Sequence, residues 1–112
     1  MLPAQNRLRH EKDIKALFSE GKGVFDAACG LKYRKNGHKE TRFAVVVGMK
    51  VSKNAVVRNK VRRRIRSVIE ARLPTIKGGF DVAFLTRPGV EKKNFKEIEA
   101  IVVSGLTKAR LL

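Results

Sequence analysis

The sequence has no tryptophan, a single cysteine, and 10 acidic residues against 26 lysines and arginines, in 112 residues. Each shortage excludes something. Cys29 has no second cysteine to pair with, so an internal disulfide is impossible and a cysteine-built zinc site is ruled out. A chain that needs no oxidising compartment, with no apolar signal-like run in its first ten residues, is expected in the cytosol. No apolar stretch reaches membrane-spanning length. Without tryptophan, and without a broad aromatic or leucine face on any basic segment, a membrane surface is a poor partner. The acidic residues are scattered singly, so none marks a protein metal site. His10 falls at a helix start and His38 in a turn, with no sign of an orienting partner. They are expected to be surface histidines, and no catalytic residue is assigned.

What is abundant is positive charge, a formal +16. Self-repulsion of that size opposes compaction, and a polyanion partner is the usual reason to carry it. Nucleic acid fits best. The length supports one domain, residues 1–112, with enough apolar residues for a modest core.

The apolar pattern predicts a compact α/β chain. His10–Glu20 has helical spacing, with Ile14, Leu17 and Phe18 on one face and Glu11 and Asp13 in the first turn. Gly21 and Gly23 should stop it. Residues 24–34 alternate as one strand, with Phe25, Ala27, Cys29, Leu31 and Tyr33 on one side and Asp26, Gly30, Lys32 and Arg34 on the other. Asn36-Gly37 is a hairpin signal leading into a return strand, Thr41–Met49. Phe43, Val45, Val47 and Met49 take one face of that strand and Ala44 and Val46 the other, which predicts a central, covered strand. A basic helix follows from about Asn54 to Arg72, then a strand at Phe80–Leu85. A last helix at about 94–110 has Asn94 and Glu97 placed as a capping box. The order α-β-β-α-β-α is an α+β sandwich, helices against one small sheet with a βαβ crossover.

The basic helix is the most informative element. Val57, Val61, Ile65 and Val68 form a stripe, Asn59, Arg62, Arg63 and Arg66 lie opposite, and Arg58, Lys60 and Arg64 flank it. A merely solvated face should carry glutamates to pair with these cations, and none occurs before Glu70. Arginine forks clamp phosphates bidentately, and an asparagine among them can read a base edge or a 2′-hydroxyl. An A-form groove does not readily admit a protein helix, so the face suits the surface of a folded RNA; a basic helix in a DNA major groove would look similar, although a dimerisation heptad is missing.

Ala55-Val56-Val57-Arg58-Asn59-Lys60, entering a basic helix, resembles the signature of the protein subunit of bacterial ribonuclease P. Val46–Lys53, Asn6-Arg7-Leu8, Asp13-Ile14, Leu17-Phe18 and Arg87-Pro88 are similar to other parts of that family, so the likeness spans nearly the whole chain. Three features depart from the pattern: the segment between Lys53 and Ala55 is shortened, the triplet ends in Lys60, and Ile14 stands where an aromatic is usual. The resemblance implies a ribosomal protein S5 domain 2-like fold with a left-handed crossover. It implies the protein part of a ribonucleoprotein endonuclease whose catalytic centre is RNA, removing the 5′ leader of precursor tRNA. No cofactor would be held by the protein alone, and magnesium would sit at the RNA active site. The partners would be ribonuclease P RNA and precursor tRNA, with no DNA and no membrane. Lys50, Lys53, Asn54, Arg58, Asn59, Lys60, Arg62, Arg63 and Arg66 would contact RNA. Ile14, Phe18, Leu31, Tyr33 and Arg87 would meet the leader, with Ile14, Phe18, Leu31 and Tyr33 in a cleft between the first helix and the sheet. Phe18 and Leu31 have helical or strand spacing equally compatible with plain core. A ribosomal-type structural RNA-binding protein or RNA chaperone is the alternative reading.

Overall fold

The computed structural model describes residues 2–25 and 28–112. Helix α1 (Glu11–Glu20) is followed by strands β1 (Lys22–Phe25), β2 (Cys29–Lys35) and β3 (Arg42–Val46), helix α2 (Ala55–Arg72), strand β4 (Phe80–Thr86) and helix α3 (Phe95–Lys108). The four strands form one sheet in the order β1-β2-β4-β3, antiparallel except for the parallel β3–β4 pair.

The helices begin and end where their sequence dictates. Asn54 Oδ1 accepts a hydrogen bond from the Val56 N–H, capping α2. Asn94 and Glu97 close both bonds of a capping box on α3. Gly21 caps the end of α1, its N–H donating to the Leu17 carbonyl, at a position where a Cβ would collide with that same oxygen.

The two sheet faces are covered unequally. One row pairs Leu31, Phe84 and Val45, the next Tyr33, Val82 and Phe43. Both rows face the main core, made with Val61, Ile65, Val68 and Ile69 of α2 and Ile98, Val102 and Leu106 of α3. Burying each such side chain contributes about 1.5–3 kcal/mol before entropy is charged against it. Among the described residues the opposite face carries α1 and the segment before it, where Leu17 closes on Ala83 and Leu8, with Ile14, Phe18 and Ala44 partly buried around them. Arg42 ties this helix to the centre of the sheet. Its guanidinium grips Asp81 bidentately at 2.8 and 2.9 Å and lies 3.5 Å from Asp13 of α1. The hydrogen bonds to Asp81 raise the Arg42 pKa above its ordinary value, against the opposing effect of burial. Arg34 reaches Glu20 at the other end of α1, at 2.6 Å.

Three expectations are corrected. Residues 24–34 are two paired strands, not one. Alternation survives a tight reversal, so the pattern could not reveal it. Phe25 pairs with Gly30 and so shares the face of Gly30, opposite Leu31; Asp26 and Ala27 lie outside the described residues. Second, Asn36-Gly37 does turn the chain, with Gly37 at φ +75°, but β2 and β3 never pair. The Asn36 amide bonds the Glu40 carbonyl and Asp81 of β4, and so holds β2 one strand's width from β3. Third, β4 is the central covered strand, buried from Asp81 to Phe84, while β3 is an edge. β3 ends at Val46, so Met49 lies beyond it and is 65% exposed.

Candidate nucleic-acid interface

Helix α2 sits on the core through Val61, Ile65, Val68 and Ile69, which leaves its polar flank outward. Asn59, Arg62, Arg63, Arg66, Ser67, Glu70 and Ala71 line one shallow depression along it. Lys60, Arg63 and Arg66 are exposed, as are Lys50 and Lys53 in the approach to the helix. Arg58 and Arg62 are only half-exposed. Arg58 donates to the Ser52 carbonyl at 2.9 Å, and Arg62 donates to Asn59 Oδ1 at 2.7 Å and to the Val47 carbonyl at 3.3 Å. Arg64 donates to the Lys93 carbonyl. These acceptors are all uncharged, so they orient the forks without cancelling their charge. They also brace residues 47–54, a structural duty that the sequence did not disclose. Asn54 is engaged as the cap of α2, with its side-chain oxygen committed to Val56.

A second feature lies around the free edge of β3. Leu2, Arg7, Leu8, Arg9, Ile14, Phe43, Ala44, Val45, Val46 and Arg66 line a groove of about 410 Å3. Its upper end is closed where Leu8 N–H donates to the Phe43 carbonyl at 2.9 Å. Its lining combines apolar side chains of α1 and β3 with three cations, Arg7 and Arg9 from the segment before α1 and Arg66 from α2. Burial, then repulsion from Arg62 and Arg7, holds the Arg66 pKa below its ordinary value. An anion entering here would relieve that repulsion.

The leader residues expected from sequence do not all meet. Ile14 lines the groove, and Phe18 lies nearby on α1 with Lys32 Nζ 5.9 Å above its ring. Leu31 is 2% exposed and belongs to the main core on the opposite face. Tyr33 is on that same face, its ring 6.5 Å from that of Phe80. Strand alternation forces this. It is Lys32 and Arg34 that face α1, so Leu31 and Tyr33 cannot share a cleft with it. Arg87 is exposed beyond the end of β4, with its guanidinium carbon 5.7 Å from the centre of the Phe25 ring. Arg7, Arg9, Ala44 and Val46 were missed as groove residues. The early arginines were a signal, but the edge position of β3 that gives them meaning depends on pairing with residues forty positions away.

Among the described residues no three His, Cys, Asp or Glu side chains gather as a metal site, and no helix is long and apolar enough to cross a membrane.

The comparisons with known proteins agree. The family described as Ribonuclease P matches residues 2–110. A ribonuclease P protein component of Microcystis aeruginosa is 32% identical over 115 residues, covering 99% of this chain and 96% of that protein. One from Clostridium botulinum is 33% identical, covering 94% and 95%. The ribonuclease P protein structure from Thermotoga maritima superposes with a TM-score of 0.83 at 27% identity, over 91% of this chain and 96% of that one. The Staphylococcus aureus structure shares the fold, with a TM-score of 0.88 at 21% identity over 95% and 96%. A family match over nearly the full length, on a scaffold that turns a band of arginines outward, means that this chain belongs to the ribonuclease P protein family, RNA-binding proteins of tRNA processing.

Proposed function

We propose that this chain acts as the protein component of ribonuclease P by making two separate RNA contacts. The exposed flank of α2, with Lys50, Lys53, Asn59, Lys60, Arg62 and Arg63, docks on the ribonuclease P RNA. The groove between α1 and the edge of β3, with Ile14, Arg7, Arg9 and Arg66, takes the single-stranded 5′ leader of precursor tRNA. Cleavage itself is assigned to the RNA, whose active site would hold magnesium. The protein supplies position and charge, and this work is placed in the cytoplasm.

The observation that carries the reading is the pairing of faces. The α2 guanidiniums are oriented by neutral carbonyl and amide acceptors. Beside them lies a groove whose cations crowd one another against an apolar wall. Cationic flank and apolar wall together match a single strand, whose phosphates need charge and whose bases need a surface for stacking.

The test is reconstitution with ribonuclease P RNA. Added protein should restore precursor-tRNA cleavage at low magnesium, and the holoenzyme should bind leader-bearing precursor more tightly than mature tRNA. Equal binding of the two, with no rescue, would favour a structural RNA-binding protein instead.

A further inference from the structure

One row of the sheet face that carries α1 ends in an exposed side chain at each margin, Val46 and Phe25, with Leu85 partly buried and Gly30 buried beneath the Phe25 ring between them. Val46, Leu85, Gly30 and Phe25 are side by side in register across β3, β4, β2 and β1. Val46 is a groove residue, so the row leads from the groove to Phe25. Three strand spacings of about 4.8 Å make that path about 14 Å. At the ~3.4 Å rise of a stacked strand, this is about four nucleotides.

Phe25 is built to present its ring. The ring lies across two glycines: a Cβ on Gly23 would come within 2.9 Å of it, and one on Gly30 within 3.1 Å. Either side chain would lift it from the sheet. It remains 59% exposed even with the Arg87 guanidinium over it, 5.7 Å from the ring centre. The backbone of Arg87 is held in place, because its N–H donates to the Ala28 carbonyl at 3.0 Å. Lys32, above Phe18, repeats the combination of cation and aromatic one row nearer α1. An apolar ring with an adjacent cation is the unit that holds one nucleotide of a single strand, base on ring and phosphate on fork.

We propose that Phe25 and Arg87 form a stacking station for single-stranded RNA, occupied by a leader nucleotide about four positions beyond those in the groove. This rests on the leader reading given above, and makes the benefit of a leader depend on its length.

The experiment compares Phe25→Leu and Phe25→Tyr holoenzymes, each protein checked by thermal melt, against three RNAs. These are mature tRNA, a precursor whose leader ends in the groove, and one extended by about four nucleotides. Phe25→Leu should weaken binding of the extended precursor about fivefold or more and leave the other two unchanged, while Phe25→Tyr keeps wild-type affinity. A wild type that favours the longer leader, with Phe25→Leu equally able, overturns the station alone. Equal losses on all three RNAs also overturn it, since the residue would then act on the fold. A wild type indifferent to any leader overturns the leader reading, and the station with it.

Discussion

Replacing Lys60 and Arg63 together by glutamine tests the docking face most directly. Both are exposed on α2. Glutamine keeps the apolar stem and a high helix propensity, so the fold should be indifferent. Counterion release gives a slope of log K against log salt of about −0.7 to −0.9 per phosphate neutralised, so two lost cations flatten it by about 1.4–1.8. That contribution vanishes near 1 M salt and grows on dilution. At about 0.15 M the loss is therefore about 14- to 30-fold, or about 1.6–2 kcal/mol. The assay is a salt titration of binding to ribonuclease P RNA alone, with no precursor tRNA, so that the groove plays no part. Lys35→Gln with Lys108→Gln removes the same charge away from α2 and serves as the control. If the two double variants flatten the slope equally, only net charge matters and the α2 face has no special standing. If neither changes it, α2 does not touch the RNA.

Val61, 3% exposed on the inner side of α2, should not tolerate Val61→Asp. An unpaired buried carboxylate costs enough, about 4 kcal/mol or more, to remove the cooperative thermal transition of a marginal domain, and an unchanged melt would contradict the helix's orientation. Gly105, inside α3, invites the opposite effect. A Cβ there would meet nothing nearer than Leu31 Cδ1 at 3.6 Å, so Gly105→Ala should gain about 0.8–1 kcal/mol of helix propensity and raise Tm by a few degrees. A lowered Tm would mean that the contact with Leu31 is not as loose as that distance implies.

Local signals were legible and long-range ones were not. The α2 stripe of Val61, Ile65 and Val68 was readable because a helix repeats within a few residues, whereas Asn54, expected to touch RNA, caps the helix. The α3 capping box was readable for the same reason. Asn36-Gly37 correctly marked a turn, yet its partner across the gap is Asp81, and no pattern within ten residues could announce a strand arriving between β2 and β3. The leader residues failed at the same level. Strand parity grouped Leu31 with Tyr33 correctly, but which face α1 would cover is decided by Asp13, Arg42 and Asp81 acting together. Conversely, the groove was invisible because its wall is the edge of β3, and edges are a property of the completed sheet.

The insertion of β4 has a consequence for how the molecule is made. During synthesis, β2 and β3 emerge early but have no ladder to form with each other, and the strand that unites them follows the whole of α2. β2 can pair early only with β1, and a ribosome must deliver residues 80–86 before its other side and β3 are paired, so a nascent chain stopped short of them carries two open strand margins and a crowded cationic helix with little to hold it. Completion of the fold is therefore a late, all-at-once event, and C-terminal truncations are expected to be removed by proteolysis rather than persist as smaller working domains.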